Sequence, residues 1–285
     1  MGKLWSMINK QIFLPPAIVL VIAVIYGLID PVGFGKGADI ALKWTLRNFS
    51  WFYALGATIL LAFTLWAGFS KYGNIKLGGR DAVPEMSKFN WFAISLCTTI
   101  AAGLMFWGAA EPIYLMNETA PYFQLEPNSP QSAVFAMSQM FLHWGITPYA
   151  IYALAATLFA YVYYNMKKPF SLGSCLSPLM GDRSTRGRFA DFIDALCIFV
   201  LCAGMIGSLS TGAFSIAGGV SNVTGIPNNS VMMILIMTAI IITFTISASS
   251  GLMRGIKWLS SFNVYIFAFL IVSVFILGRP TFILN

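Results

Sequence analysis

Charge is scarce in this chain: Asp, Glu, Lys and Arg make up 9% of its 285 residues, against about 25% in an ordinary soluble domain. With 58% apolar residues, that scarcity excludes a water-soluble globule and makes the chain an integral membrane protein. Cysteine is sparse, and Cys97, Cys175, Cys197 and Cys202 form no CxxC pair or metal-type spacing. Three of the four lie in apolar runs, where cysteine packs as a small hydrophobe, so no structural disulfide is expected. Histidine occurs once, as His143. Without cysteine or carboxylate partners at ligand spacing, it reads as an interhelical hydrogen-bonding residue rather than a metal ligand or proton carrier. HExxH, GxSxG and phosphate-cradling glycine loops are all missing, so neither an enzyme nor a cofactor is implied.

What is abundant is long apolar sequence. Seven runs reach or approach the ~20 residues that a helix needs to cross a bilayer. They are Ile12–Ile29, Phe52–Phe69, Trp91–Met116, Ala133–Tyr164, Phe189–Val220, Val231–Ser250 and Trp258–Leu277, read together as a single transmembrane domain. The third, fourth and fifth exceed a perpendicular crossing, which implies tilt, kinks or unwound pieces. No small-x-small cleavage site follows the first run, so it reads as a retained span. Trp51, Trp91 and Trp258 stand at run ends, as belt tryptophans do.

The basic residues fix the orientation. Lys3, Lys10, Lys71, Lys76, Arg80, Lys88, Lys167, Lys168, Arg183, Arg186, Arg188, Arg254 and Lys257 fall on one side. Only Lys36, Lys43, Arg47 and Arg279 fall on the other. The positive-inside rule puts the amino terminus in the cytoplasm. The net charge of +7 is thus loop charge beside membrane lipid, not a nucleic-acid surface. The same orientation argues against a seven-span receptor, whose amino end lies outside. A retinal-binding version would also need a lysine in the middle of the last span, and Lys257 sits at its start.

Polar and aromatic residues inside the runs mark candidate sites. His143-Trp144-Gly145-Ile146-Thr147-Pro148-Tyr149-Ala150-Ile151-Tyr152 holds three rings, the histidine and a proline. On one continuous helix Trp144, Tyr152 and Tyr149 fall at roughly 0°, 80° and 140°, on a shared face. Pro148 has no N–H for the Trp144 carbonyl, which predicts a kink there. Two readings stand: a lipid-facing aromatic cluster, or an aromatic face that holds a cation.

Glu111 is the one carboxylate well inside a run, and it reads as a structural partner for a neighbouring helix more than as a coupling group. The small-residue run Thr98–Gly103, with Thr99, Ala101 and Gly103, allows close helix packing or local unwinding that frees carbonyls for an ion or polar solute. Gly204–Gly212 is a second such run. Asp191 and Asp194 open the fifth span, where carboxylates favour the helix dipole. Outside the spans, the loop Asn117–Ser132 reads as a short folded cap or a re-entrant turn. The basic loop Asn165–Arg188 reads as an ordinary positive-inside loop. No internal repeat is visible within the seven spans. Gly278-Arg279-Pro280 onward follows a span directly, which reads as an interrupted sequence.

Several of these stretches together resemble the betaine/choline/carnitine transporter family. They are Gly103–Pro112 (GLMFWGAAEP), Leu142–Tyr152 (LHWGITPYAIY) and Gly255–Ser260 (GIKWLS) through Ile283-Leu284-Asn285. The resemblance implies an all-α, leucine-transporter-like bundle of twelve spans, two peripheral helices followed by two inverted five-helix repeats. This chain would hold the peripheral helices and the first repeat, with the second repeat missing. It further implies a quaternary-ammonium substrate (glycine betaine, choline or carnitine), trimers of the full-length protein, and a plasma membrane, the bacterial inner membrane. By the same resemblance Trp144, Tyr149 and Tyr152 form an aromatic box, with Tyr114 an added substrate contact. Tyr149 departs from the family's usual tryptophan. Thr99 and Ala101 stand where many members carry glycine, which leaves sodium coupling without support. The expectation is half of a transporter, unable to transport alone. The alternatives are the same architecture serving an amino acid or other solute, and a truncated product without transport.

Overall fold

The computed structural model describes residues 9–100, 102–119, 121–250 and 252–284. Lys3 of the charge bias, Ala101 of the small-residue run and Asn285 of the resemblance lie outside these residues. So does the side chain of Arg254. Helices and short helical turns make up all the regular structure among the described residues. Six helical stretches are long and apolar enough to cross a membrane, with Pro130–Asn165 counted as one, and seven if the bent pair Lys88–Thr99 and Gly103–Asn117 makes one span. The chain is an all-α integral membrane protein. It divides into two compact units, residues 1–82 with 141–205, and residues 83–140 with 206–285.

In the first unit, α1 (Lys10–Ile29) is capped by Asn9, whose side chain accepts from the Gln11 N–H at 3.0 Å. Asp30 then ends α1 and starts α2 (Pro31–Phe69), its carboxylate accepting from the Gly33 N–H at 2.8 Å. Proline at the first helical position costs nothing, since that N–H has no intrahelical partner. Helix α2 therefore begins 21 residues before the apolar run at Phe52. At about 1.5 Å per residue its 39 residues exceed the ~30 Å hydrocarbon core, and a polar first half carries Lys43 paired to Asp39 at 2.7 Å. Hydropathy located the apolar half only; the Asp-Pro start signal locates the helix.

Helix α5 (Pro130–Trp144) begins in the second unit and ends, from residue 141 on, in the first, where α6 (Ile146–Ala160) follows, continued by a π-helical turn Tyr161–Asn165. Helix α2 packs along α6. The Thr64 hydroxyl marks the seam, 2.8 Å from both the Leu60 carbonyl of its own helix and the Ala150 carbonyl across. A hydroxyl has one proton, so it serves one carbonyl at a time.

In the second unit, Ser87 caps α3 (Lys88–Thr99) by accepting from the Asn90 N–H. Helix α4 (Ala102–Asn117) follows at an angle of 45°. The segment 117–130 folds back on itself: the Asn128 N–H donates to the Met116 carbonyl at 2.9 Å, and the Thr119 hydroxyl to the Leu125 carbonyl at 3.0 Å. Helix α7 (Arg188–Thr224) begins in the first unit and belongs to the second from residue 206 on, where α8 (Ser230–Ser249), α9 (Leu252–Leu277) and the short α10 (Pro280–Leu284) follow. Helix α3 lies on α9 through the stacked Phe89 and Tyr265 rings, 5.5 Å apart, and a Cys97 thiol donating to the Ser260 carbonyl. Gly255 brings α9 against the Ser247 carbonyl at the end of α8, where any Cβ would collide.

The run Gly204–Gly212 is not unwound. It lies inside the uninterrupted α7. Ser210 and Thr211 turn their hydroxyls back onto the carbonyls of Ile206 (2.9 Å) and Ser208 (2.9 Å), so the polar groups are satisfied without breaking the ladder.

Candidate functional site

The helix break in the His143–Tyr152 stretch lies at Gly145, three residues ahead of the kink expected at Pro148. Helix α5 ends at Trp144, and Gly145 takes φ −85° and ψ −128° while its N–H still donates to the Phe141 carbonyl at 2.8 Å. An added Cβ at Gly145 would lie 2.3 Å from that carbonyl oxygen, so only glycine fits. Pro148 then sits in the first turn of α6, where the leading N–H groups have no intrahelical partner and a missing one costs nothing.

One continuous helical wheel consequently does not describe the three rings. Trp144 leaves the last turn of α5, half-buried, while Tyr149 and Tyr152 project from α6 one turn apart. Tyr149 is half-buried and lines a cavity of about 380 Å³ with Thr64 and Leu65 of α2 and Ala150 and Ala153 of α6. Tyr152 is 52% exposed. His143 ends α5 beside Trp144 and is exposed. Residues 143–152 all belong to the first unit. An aromatic cradle built on such a break can hold a cation by ring faces alone, without a carboxylate.

The other candidates lie in the second unit. Thr99 is the last residue of α3, its hydroxyl donating to the Ser95 carbonyl at 2.8 Å. Gly103 is in the first turn of α4. Glu111 precedes Pro112 in the middle of α4 and is half-buried; Tyr114 lies one turn on and is exposed. No group of three His, Cys, Asp or Glu side chains able to hold a metal ion occurs among the described residues.

Sequence reasoning missed what organises the basic loop. Asp194 reaches back from the second turn of α7 and accepts from the Ser171 hydroxyl at 2.7 Å and the Gly173 N–H at 3.0 Å. Gly173 is obligatory, because a Cβ there would meet the Ser184 carbonyl at 2.9 Å. Asp191 accepts from the Asn9 amide at 3.0 Å, and Lys168 pairs with Asp182 at 3.3 Å. Residues 172–184 thus form three successive helical turns with Ser174, Ser177 and Ser184 buried. Burial, with Cys197 adding to it, pushes the Cys175 thiol above its ordinary range, so it is protonated and unreactive at neutral pH. The Ser-Leu-Gly sequence ahead of the span was the only local signal for this tie.

Comparison with known proteins extends the picture from residues to the whole chain. Residues 11–285 match the family model described as betaine/carnitine/choline family transporter. An ectoine/hydroxyectoine transporter of Virgibacillus pantothenticus is 34% identical over 281 residues, covering 98% of this chain and 55% of that protein. The glycine betaine transporter OpuD of Bacillus subtilis is 34% identical over 263 residues, covering 92% and 51%. A probable glycine betaine transporter of Desulfitobacterium hafniense is 32% identical over 277 residues, covering 97% and 55%. The chain spans about half the length of these curated relatives. A match along nearly the whole chain, on an all-helical membrane architecture, has one meaning: the chain belongs to the betaine/carnitine/choline family of transporters, and it is not an enzyme.

Proposed function

We propose that this chain forms the part of a secondary transporter that cradles a quaternary-ammonium solute, glycine betaine, choline or carnitine, with Trp144, Tyr149 and Tyr152. The observation that carries the reading is the break at Gly145, which sets Trp144 on one helix and the two tyrosines on the next. A trimethylammonium group has no N–H to donate and is cheap to desolvate, so ring faces suffice for it. One named relative is a glycine betaine transporter and another a probable one, which supports the same class. Tyr114 adds a contact to the solute. Thr99 and Gly103 flank the segment where a polar group or ion is held; the end of α3 at Thr99 supports this. Glu111 and His143 are structural. The fold is the peripheral helix pair and first five-helix repeat of a leucine-transporter-like bundle, with the amino end in the cytoplasm of a bacterial inner membrane. The full-length protein forms trimers.

The named ectoine/hydroxyectoine transporter favours a second reading, a delocalised amidinium zwitterion in place of the quaternary ammonium. Tyrosine in place of tryptophan at 149 gives a weaker cation face and a hydroxyl, which suits a solute with N–H groups.

Uptake of labelled glycine betaine by bacterial cells lacking their own betaine uptake tests this. The 285-residue chain alone is expected to give none. A chimera joining it to the part of the Bacillus subtilis transporter beyond the matched region is expected to restore uptake, inhibited by choline or carnitine. Uptake by the chain alone contradicts the half-site. A membrane-inserted chimera that accumulates ectoine but no trimethylammonium compound favours the second reading.

A further inference from the structure

Beside the Thr64–Ala150 seam, α2, α6 and the residues after α2 line a cavity of about 700 Å³. Small residues make the room: Ala67 and Gly68 on α2, Gly73 in the following turn, Ala153 on α6. Leu158, Tyr161 and Leu77 close its sides. An added Cβ on Gly68 would meet nothing within 4 Å. The wall at Ile75 is shared with a second recess of about 390 Å³, lined also by Lys76, Gly79, Arg80 and Asn165.

That recess is built rather than incidental. Asn165, positioned by the π-helical turn that ends α6, holds the 76–78 backbone from both ends of its amide. Its oxygen accepts from the Gly78 N–H at 2.9 Å and its nitrogen donates to the Lys76 carbonyl at 3.0 Å. Lys76 spends one ammonium proton on the Arg80 carbonyl at 3.0 Å. Lys76 and Arg80 are both exposed residues. Asp81 is the only carboxylate between Ser70 and Ala82, and no carboxylate lines either space.

We propose that these two spaces form one binding site for an anionic glycerophospholipid, with an acyl chain between α2 and α6 and the phosphate at Lys76 and Arg80. An apolar slot leading to a basic recess matches the two-part chemistry of such a lipid. The same charges repel a quaternary-ammonium solute, so this is not a second substrate site. The inference rests on the membrane-spanning fold and not on the identity of the transported solute.

Native mass spectrometry of the purified protein tests it, with phosphatidylglycerol and phosphatidylcholine of identical acyl chains titrated separately. Wild type is expected to retain phosphatidylglycerol roughly 10- to 30-fold more strongly, two basic side chains acting on a headgroup of net negative charge. Lys76→Gln/Arg80→Gln is expected to bring retention to the phosphatidylcholine level without changing the circular dichroism spectrum. Gly68→Phe, which puts a ring into open space, is expected to weaken both lipids. Equal retention of the two lipids, preference surviving the double substitution, or no effect of Gly68→Phe overturns the proposal. So does displacement of bound phosphatidylglycerol by millimolar glycerol 3-phosphate, which would make the recess a phosphate site.

Discussion

Replacing Trp144 by alanine in the transport-competent chimera is expected to raise the half-saturating concentration of glycine betaine about 10- to 30-fold. A single cation–π contact contributes about 0.5 to 2 kcal/mol, the upper end where water is excluded, and ~2 kcal/mol is about 30-fold in affinity. Tryptophan is the best ring for the purpose, and Trp144 stands half-buried on the last turn of α5, immediately before the break. Trp144→Phe keeps a ring face and is expected to lose only part of the affinity. Uptake kinetics, normalised to the amount of protein in the membrane, measure both. Unchanged half-saturation in the alanine variant would remove Trp144 from the site.

A single methyl group at Gly145 is expected to do comparable damage without touching a ring. The Cβ of Gly145→Ala would lie 2.3 Å from the Phe141 carbonyl oxygen, a backbone atom that cannot swing aside. Either the Gly145 N–H loses its 2.8 Å bond to that carbonyl or the last turn of α5 shifts. Overpacking of this kind costs about 1–3 kcal/mol. The larger consequence is positional, since Trp144 and Tyr149 are attached on opposite sides of the break. A displacement of the order of 1 Å between groups that grip one ligand is expected to lower uptake roughly tenfold or more. Uptake by Gly145→Ala equal to that of the parent would show that the break does not set the ring geometry.

The membrane class was legible from composition, because 9% charge and 58% apolar residues leave no other solution. Helix ends were less legible. The start of α2 was encoded in Asp30-Pro31-Val32-Gly33, a local capping signal, but its polar first half lay below the hydropathy that marks a span. At 143–152 two local signals competed, a proline that removes a donor and a glycine that permits a break. The glycine prevailed, because proline in a first turn disturbs nothing. The run Gly204–Gly212 misled for the opposite reason. Small residues permit unwinding but do not cause it, and hydroxyls that bond within their own helix remove any need for it. The Asp194–Ser171 tie and the slot between α2 and α6 were beyond sequence reading. They join residues 23 and 86 positions apart, which no periodicity or spacing connects.

The central claim is that ring faces around Gly145 recognise a fully methylated nitrogen. Its most direct test is equilibrium binding of labelled glycine betaine to the purified chimera, displaced by dimethylglycine, sarcosine, glycine and ectoine in turn. Each methyl removed exposes an N–H that water solvates well and ring faces do not. The account therefore requires affinity to fall at every step from glycine betaine to glycine. Glycine displacing the label as effectively as dimethylglycine would contradict the aromatic cradle.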